Sequence, residues 1–336
     1  MTAVPALSVE GLSVEFRTRS GIVRALEHVS FSVAKGETVA LVGESGSGKS
    51  VTAYAVMGIL DPAGRITSGR AMFGGLDLLS AKTGQLADVR GRDIAMIFQN
   101  PRTALNPIRT VGRQIADVLI RHGNVLRAAA PDRAVEMLRA VGITDPARRA
   151  KAYPFEMSGG MCQRVMIAIA LAAKPALLIA DEPTTGLDVT TQAVIMDLIG
   201  ELAAELGMAT IFITHDLALA GQRSAHIVVM HAGHVVENAP TRELFTQPRH
   251  PYTAELIAAT PDSAASLDEL AAIPGSLPDL RRADLPPCRY SERCPRKIDG
   301  CEQPLPHAAA GVEHFVACWN PLPEPAIGPA SRETAA

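Results

Sequence analysis

The side chains best suited to chemistry form a glycine-rich run near the N-terminus. It follows a short apolar segment, Thr38–Val42, typical of a buried strand, and precedes a segment at 50–60 that suits a helix. The run matches G-x-x-x-x-G-K-[ST] and consists of Gly43, Glu44, Ser45, Gly46, Ser47, Gly48, Lys49 and Ser50. Glycines let backbone N–H groups turn toward phosphate oxygens at the start of a helix. Lys49 is expected to reach β- and γ-phosphates, and Ser50 to offer its hydroxyl to Mg²⁺. The strand, loop and helix context disfavours the alternative of an ordinary Gly/Ser-rich turn.

A second apolar segment, at 177–180, ends in two carboxylates. Asp181 fits a Mg²⁺ ligand held through water, and Glu182 fits a group that polarises an attacking water. Adjacent strand residues point to opposite faces, so the two need not share a role. Alone, the pair would be interpreted as a solvated strand end. Together with the phosphate loop it predicts the second half of a phosphate-binding site.

Two more polar residues follow predicted strands. Gln99 closes the segment at 94–98, and its amide could contact the metal or a water. An ordinary polar strand end explains Gln99 equally well. His215 follows the segment at 211–214, where an imidazole could donate a hydrogen bond to a γ-phosphate. A single histidine is more often structural, so His215 gains a role only through the other motifs.

The elements around these residues alternate between strand and helix, which predicts a mostly parallel α/β sheet. Residues 7–42 have strand patterns, residues 101–157 change to helical spacing, and prolines punctuate the chain after about residue 259. The 336 residues carry a net charge of −3, which gives no electrostatic reason to expect nucleic-acid binding. No apolar run reaches the roughly 18 residues of a membrane helix, and the N-terminus lacks signal-peptide features, so a cytosolic location is expected.

A third motif lies between the two halves of the predicted site. Residues 157–164, MSGGMCQR, immediately precede an apolar helical segment. This run resembles the signature of ATP-binding cassette (ABC) ATPases, which other P-loop ATPases lack. The other motifs then follow the order of that family over about residues 7–258. By this resemblance they are Walker A at 43–50, the Q-loop at Gln99, the signature at Ser158, Gly159 and Gly160, Walker B at Asp181 and Glu182, the D-loop ending at Asp188, and the switch at His215. Met161 departs from the usual glutamine, a departure that peptide-importer cassettes share.

The resemblance implies a fold and a mechanism. The fold is an α/β cassette with a RecA-like parallel sheet, an antiparallel β subdomain and a helical signature subdomain at about 101–157, all within a nucleotide-binding domain at 1–258. Phe16 would stack on adenine, and Ser50, Gln99 and Asp181 would hold Mg²⁺. Two cassettes would pack head to tail, so that Ser158, Gly159 and Gly160 of one contact the γ-phosphate of ATP bound by the other.

Finer features are similar to the ATP-binding subunits of oligopeptide and dipeptide importers, most of all those of the dipeptide D type. Residues 100–107 look like the surface that receives a permease's coupling helix, and residues 213–219 and 248–253 share the subfamily's pattern. The resemblance implies an ATPase that forms ADP and phosphate at the cytoplasmic face of the inner membrane. Its partners would be a second, homologous ATP-binding subunit, two transmembrane permeases and, through them, an extracytoplasmic binding protein.

Three alternatives stay open beside peptide import. The same motor could serve another substrate, such as a nickel chelate, haem or glutathione. A soluble ABC ATPase acting on ribosomes or DNA is a second class, although such relatives usually carry paired cassettes or long coiled-coil insertions, and neither is evident here. A regulatory partner without hydrolysis is a third class, which the presence of Glu182 and His215 disfavours.

Four of the five cysteines lie in the C-terminal extension, 259–336, in a module at 288–318. They are Cys288, Cys294, Cys301 and Cys318. Their spacing is poor for a zinc knuckle, and by itself leaves an iron–sulfur cluster, zinc and unliganded thiols as alternatives. Peptide-importer subunits carry the same pattern and some bind a [4Fe–4S] cluster, so the resemblance favours that cluster, in a structural or docking role. His307 and His314 are possible substitute ligands, Cys162 is expected to be a packing thiol, and residues 320–336 a mobile tail.

Overall fold

The computed structural model describes residues 4–260, 272–306 and 314–323 of the chain. Within these ranges the strands form a seven-stranded and a four-stranded sheet. The strands are β1 (Leu7–Thr18), β2 (Gly21–Val33), β3 (Thr38–Val42), β4 (Gly64–Phe73), β5 (Leu76–Asp77), β6 (Ile94–Ile97), β7 (Leu177–Asp181), β8 (Ala209–Thr214), β9 (His226–His231), β10 (His234–Pro240) and β11 (Phe315–Val316). The helices are α1 (Lys49–Met57), α2 (Thr83–Val89), α3 (Pro101–Ala104), α4 (Val111–His122), α5 (Ala130–Ala140), α6 (Pro146–Arg149), α7 (Gly159–Leu171), α8 (Val189–Leu206), α9 (Leu217–Arg223), α10 (Thr241–Thr246) and α11 (Pro251–Ala258).

The larger sheet has the order β11-β10-β9-β3-β8-β7-β6. Strands β6, β7, β8, β3 and β9 run parallel, and β9 and β10 form an antiparallel hairpin. Both faces of the central strand are buried, because Val39 and Leu41 join one apolar cluster while Ala40 and Val42 join the other. The predicted mostly parallel α/β sheet is confirmed.

The smaller sheet is antiparallel, with the order β2-β1-β4-β5. Its apolar face includes Leu12, Val14 and Phe31, which share a core cluster with Ala53 of α1. The sequence indicated β1 and β2 but not β4 and β5, because Gly64–Phe73 carries mostly exposed polar side chains and lacks a strong apolar alternation. This sheet therefore shares an apolar cluster with α1 and with the face of the main sheet that carries Val39 and Leu41.

The helical spacing at 101–157 corresponds to helices α3 to α6 and a 3₁₀ turn at Pro154–Glu156. Val111, Ile115 and Leu119 lie at successive i, i+4 positions of α4 and are buried. They belong to the same apolar cluster as residues of α5 and α7. This packing sets α7, which begins at Gly159 in the signature run, against the helical region.

The C-terminal extension is tied to the main sheet. Strand β11 pairs antiparallel with β10 at its edge, and Tyr290 is only 1% exposed among the rings of Tyr252, His231 and His250. Burial lowers the pKa of both histidines to about 3, so both rings are neutral in this aromatic cluster.

Among the described residues, no helix has the length and apolar character needed to cross a membrane. Most of the predicted tail, 324–336, lies outside the described residues.

Candidate active site

The carboxyl ends of four parallel strands meet at one edge of the main sheet. β3 ends at Val42 before the phosphate loop, β7 ends at Asp181, β8 ends just before His215, and β6 leads to Gln99. The strand order β3-β8-β7-β6 places these ends side by side. Open parallel sheets commonly bind ligands at this edge. Four motifs that are distant in the sequence are thereby brought together.

Two glycines give the phosphate loop its course. Gly43 has φ +147°, and a Cβ atom at this position would lie 2.1 Å from the backbone oxygen of Met230 on β9. Gly48 has φ +106°, and a Cβ there would lie 2.6 Å from Leu26 Cδ2. Backbone strain disfavours a side chain at both positions, and at Gly43 the contact with a backbone oxygen excludes one. The loop can therefore press against β9 and β2 and turn its N–H groups inward.

Lys49 begins α1 and is 5% exposed. Its Nζ donates hydrogen bonds to the backbone oxygens of Gly43 and Glu44, at 2.8 and 3.0 Å. Burial lowers the pKa of Lys49, while the carboxylates of Glu182, Asp181 and Glu44 act in the opposite direction. The ammonium group is thus held on the loop, beside the position expected for the terminal phosphates.

Ser50 and Asp181 form the most direct link between the two halves of the site. Ser50 Oγ donates to Asp181 Oδ1 at 2.9 Å, while the buried Asp181 Oδ2 has no hydrogen-bond partner. Burial raises the pKa of Asp181, which a nearby cation would counteract. A hydroxyl and a carboxylate oxygen suit Mg²⁺, so these residues fit the expected metal. The Tyr54 hydroxyl acts to lower the pKa of Asp181, an influence that sequence reasoning missed.

Glu182 is the most connected polar group of the site. It has φ +43°, an unusual backbone conformation for a residue other than glycine. Its Oε2 accepts hydrogen bonds from Gln99 Nε2 at 2.7 Å and from Thr185 Oγ1 at 2.9 Å, and its Oε1 lies 3.4 Å from His215 Nδ1. Burial raises the pKa of Glu182, but the hydrogen bonds from Thr185 and His215 and the charges of His215 and Lys49 outweigh it, so the pKa is lowered. Glu182 is therefore an ionised acceptor in neutral solution.

The predicted contacts of Gln99 with Mg²⁺ and of His215 with a γ-phosphate stay predictions, and the structure adds a contact of each side chain with Glu182. Both side chains are exposed and both face Glu182. Gln99 was expected to contact Mg²⁺, and in the structure it donates to Glu182, not to Asp181 or Ser50. Thr185 is the third residue that contacts Glu182. The only feature of the sequence that could have indicated it is its position three residues after Glu182, in the turn that follows β7.

An open cleft of about 520 Å³ lies over the phosphate loop. Its floor includes Gly48, Lys49 and Ser50, and Gln99 and Glu182 lie on its wall. The cleft is also lined by Phe16, Thr18, Val23, Ala25 and Leu280. The volume is in the range of small-molecule sites, which span about 300–1,000 Å³.

The signature residues and Asp188 lie elsewhere. Ser158 is the N-cap of α7, its Oγ accepting from Met161 N at 3.3 Å, while Asp188 caps α8 by accepting from Thr191 N at 3.0 Å. The residues that line the cleft include neither Ser158, Gly159 and Gly160 nor Asp188. Ser158 and Asp188 are exposed. Within one chain, therefore, the signature does not complete the cleft.

The four cysteines of the extension affect one another electrostatically. Burial raises the pKa of Cys288 to about 11, and Cys301, Cys318 and Cys294 add to this rise. Among the described residues, however, no group of three or more His, Cys, Asp or Glu side chains is arranged to hold a metal ion. The predicted cluster is therefore not supported by the arrangement of these thiols.

The other residues named with the cysteine cluster have different surroundings. His314 lies 3.1 Å from Glu237 and 3.3 Å from Glu243, and so contacts carboxylates of the cassette. His307 lies outside the described residues. Cys162 is fully buried in the core, with its Sγ 3.3 Å from the backbone oxygen of Pro154, and burial raises its pKa. Cys162 thus has the surroundings of a packing thiol.

Two family models match the chain. One, described as ABC transporter, matches residues 26–185, and a second, described as Oligopeptide/dipeptide transporter, C-terminal region, matches residues 236–301. The first range contains the phosphate loop, Gln99, the signature run and both Walker B carboxylates. The second contains His250, Tyr252, Tyr290 and three of the four clustered cysteines.

Curated relatives match over nearly the whole chain. The dipeptide transport ATP-binding protein DppD of Bacillus subtilis is 44% identical over 93% of this chain and 94% of its own length. DppD of Haemophilus influenzae is 44% identical, with 95% and 96% covered. The oligopeptide transport ATP-binding protein OppD of Bacillus subtilis is 46% identical, with 93% and 88% covered.

Solved structures share the cassette. A dimeric post-hydrolysis state of the ATP-binding cassette MJ0796, bound to ADP and Pi, is 28% identical with a TM-score of 0.63, covering 70% of this chain and 99% of that one. CbiO1 of Clostridium perfringens, part of an ABC transporter complex, is 28% identical with a TM-score of 0.60, covering 72% and 91%.

Proposed function

The chain belongs to the ATP-binding subunits of ABC transporters, and from this membership we propose that it is the ATP-hydrolysing motor of a bacterial importer of di- and oligopeptides. One observation carries the proposal. A cassette match at 26–185 is followed in the same chain by a match to a peptide-transporter C-terminal region at 236–301. The relatives named above, DppD and OppD, match 93–95% of this chain. We place the boundary between the nucleotide-binding domain and the extension near residues 258–259.

The residues of the cleft have complementary tasks in hydrolysis. The loop N–H groups and Lys49 would bind the phosphates, and Ser50 and Asp181 would hold Mg²⁺, whose charge offsets that of the reacting phosphates. Glu182, which is ionised, would accept a hydrogen bond from the attacking water, and Thr185 and His215 orient its carboxylate. A hydrogen bond from His215 to the γ-phosphate would connect that group to Glu182.

We propose that the site is completed by a second cassette. Ser158, Gly159 and Gly160 are at the N-terminus of the thirteen-residue helix α7, which can stabilise an anion, yet they lie outside the cleft of their own chain. In a head-to-tail pair they would face ATP on the partner, with Asp188 near the same interface. Loss of the γ-phosphate would then weaken the pair, which couples hydrolysis to opening. The partner cassette is proposed to be a homologous, non-identical subunit.

An exposed apolar patch supports docking to a permease. Ile108 and Phe155 are 82% and 75% exposed, and Phe155 stacks on Tyr153 with ring centroids 5.5 Å apart. The backbone bond from Val111 N to Ala152 O, at 2.9 Å, holds the two segments together. This patch adjoins residues 100–107, which follow Gln99. A permease segment seated there would be linked through the chain to the group that contacts Glu182.

Replacing Phe155 by aspartate is expected to remove the permeases from the purified complex without changing ATP affinity. The charge would be buried unpaired at the interface. The test is to tag the full-length chain, solubilise native membranes gently and identify what co-purifies. The unchanged chain should bring two permeases and a second cassette. Leu126→Asp is the matched control, because Leu126 is 80% exposed and follows the C-terminal end of α4, whereas the docking residues lie near the N-terminal end of that helix.

Recovery of the unchanged chain alone, or with ribosomes, would overturn the transport assignment and favour the soluble ABC class. Co-purification also decides the proposed location at the cytoplasmic face of the inner membrane, since that face is where a permease would present its coupling helix. The associated extracytoplasmic binding protein would then identify the cargo. Accumulation of a nickel chelate, haem or glutathione, rather than of a labelled dipeptide, would retain the motor and replace its substrate.

We also propose that the cysteines of the extension hold a [4Fe–4S] cluster in a structural or docking role. The number of thiols and their mutual electrostatic influence support it, although cluster formation would require the thiols to adopt a ligating arrangement. Anaerobically purified protein is expected to contain about four irons and as many acid-labile sulfides per chain. Cys294→Ser should lower this content and Cys162→Ala should not. Colourless wild-type protein without iron would exclude the cluster.

A further inference from the structure

The C-terminal extension returns to the nucleotide cleft at two places. Arg293, next to a clustered cysteine, reaches Glu44, the second residue of the phosphate loop. Leu280 lines the same cleft as Phe16. These positions lie more than 200 residues beyond the loop in the sequence, so neither contact can arise from local structure.

The Arg293 contact has the geometry of a bidentate ion pair. Its Nη1 donates to Glu44 Oε2 at 2.8 Å and its Nη2 to Glu44 Oε1 at 3.0 Å. The Arg293 side chain is 5% exposed and that of Glu44 is 28% exposed. Arg293 Nε also donates to Pro274 O at 2.7 Å, which fixes the guanidinium from the extension. A paired, shielded fork of this kind restrains the orientation of the carboxylate.

The surroundings of the pair connect it to the phosphate loop backbone. Glu44 N donates to Tyr252 Oη at 3.1 Å, and Arg293 Nη1 lies 3.2 Å from Nε2 of the neutral His231. Glu44 O in turn accepts from Lys49 Nζ. Glu44 is therefore held at its side chain by the extension and at its backbone by α11, while its carbonyl positions the lysine expected to bind phosphate.

Leu280 is held at the cleft by the backbone. Leu280 O accepts from Arg24 N on β2 at 3.1 Å, and Leu277 Cδ1 lies 3.4 Å from where a Cβ at Gly46 would be. This segment runs along the edge between the antiparallel sheet and the phosphate loop. Its leucine presents apolar surface where the base of a nucleotide would meet Phe16.

We propose that the C-terminal extension is part of the ATP site: Arg293 positions the phosphate loop through Glu44, and Leu280 contacts the base. Arg293 is a positioning residue, since it touches the loop and not the nucleotide. Leu280 is a binding residue. The inference rests on the ATP site of the proposed function but not on peptide import. A change that displaces the extension would thus be transmitted to nucleotide affinity.

The Arg293 and Leu280 contacts predict different losses of binding affinity for two ligands. Calorimetric titration of the folded full-length chain, purified anaerobically, would use a non-hydrolysable ATP analogue and Mg²⁺-tripolyphosphate. Arg293→Gln is expected to lower the affinity for both ligands by up to about tenfold, since both bind at the phosphate loop. The affinities of Arg293→Lys for both ligands should lie between those of the wild type and those of Arg293→Gln. Leu280→Ala should weaken the analogue about threefold and leave tripolyphosphate unchanged, because only the analogue carries a base.

Arg282→Gln is the matched control for the loss of charge. Arg282 lies in the same extension but pairs with Asp284 and Glu292, away from the phosphate loop, and both affinities should stay as in wild type. A double-mutant cycle with Glu44→Gln should show that the Arg293 effect disappears once its carboxylate is gone. Circular dichroism would verify folding. If Arg293→Gln does not fold, the ligand affinities of Arg293→Lys test the positioning role of Arg293.

Unchanged affinity for both ligands in folded Arg293→Lys and Arg293→Gln would overturn the positioning role. An equal loss of both ligands in Leu280→Ala would overturn the base contact. These readouts do not involve permeases or cargo. Failure to co-purify with permeases would therefore overturn peptide import and leave this inference intact. Unchanged ligand affinities in the variants would overturn this inference and leave peptide import intact.

Discussion

Replacing Glu182 by glutamine is expected to slow ATP hydrolysis by about 10²–10⁴-fold while ATP still binds. Glutamine has nearly the same shape and can retain contacts with Gln99, Thr185 and His215, which now bond to the carboxylate. It lacks the negative charge that would polarise an attacking water. Phosphate release from the assembled complex at saturating ATP, together with an equilibrium ATP titration, separates the chemical step from binding.

Glu201→Gln supplies the control for this change of charge. Glu201 is an exposed residue of α8, outside the cleft, and its variant should hydrolyse ATP like the wild type. If Glu182→Gln also turned over at the wild-type rate, Glu182 would have no part in activating water. Parallel losses of ATP affinity and turnover would instead place Glu182 in nucleotide binding.

Gly43→Ala is expected to lower the free energy of unfolding by about 3 kcal/mol and to abolish ATP binding. The added Cβ would lie 2.1 Å from the backbone oxygen of Met230, and the residue would keep φ +147°. A backbone carbonyl within a sheet cannot move aside as a flexible side chain would. Relief of the contact must therefore displace the phosphate loop. Urea unfolding measures the stability, and calorimetry measures the ATP affinity.

Gly21→Ala separates backbone strain from steric contact. Gly21 has φ +128°, but a Cβ there would meet no atom within 4 Å. Its variant should lose stability through strain alone and should bind ATP normally. Equal destabilisation and normal ATP binding in both variants would contradict the importance of the close approach between the loop and β9.

In the motifs that predicted the site, the residues that shape the local backbone stand next to the residues that carry the chemistry. The phosphate loop depends on glycines that permit left-handed φ values and on a lysine at the start of a helix, and all of these are within eight consecutive residues. Asp181 and Glu182 follow a strand whose apolar run is equally local. Helix α8 ends before Gly207, whose left-handed φ of 60° is the C-cap conformation that glycine favours.

Other features depend on which elements become neighbours. Polar strands β4 and β5 form because the apolar face of β1 and β2 needs an extended partner, which their own composition does not reveal. Thr185 gains importance only because the turn after β7 directs it to Glu182. Gln99 contacts Glu182 because β6 lies beside β7.

By itself, the sequence predicted the α/β class from its strand and helix patterns and the family from the resemblance of its short motifs. It also indicated the residues that are proposed to meet phosphate and Mg²⁺, because those motifs are local. Only the tertiary structure decided that Arg293 and Leu280 join the nucleotide cleft and that the signature residues lie outside the cleft of their own chain. The physical reason is that a contact across hundreds of residues depends on strand order and packing. No local preference for helix, strand or turn encodes that contact.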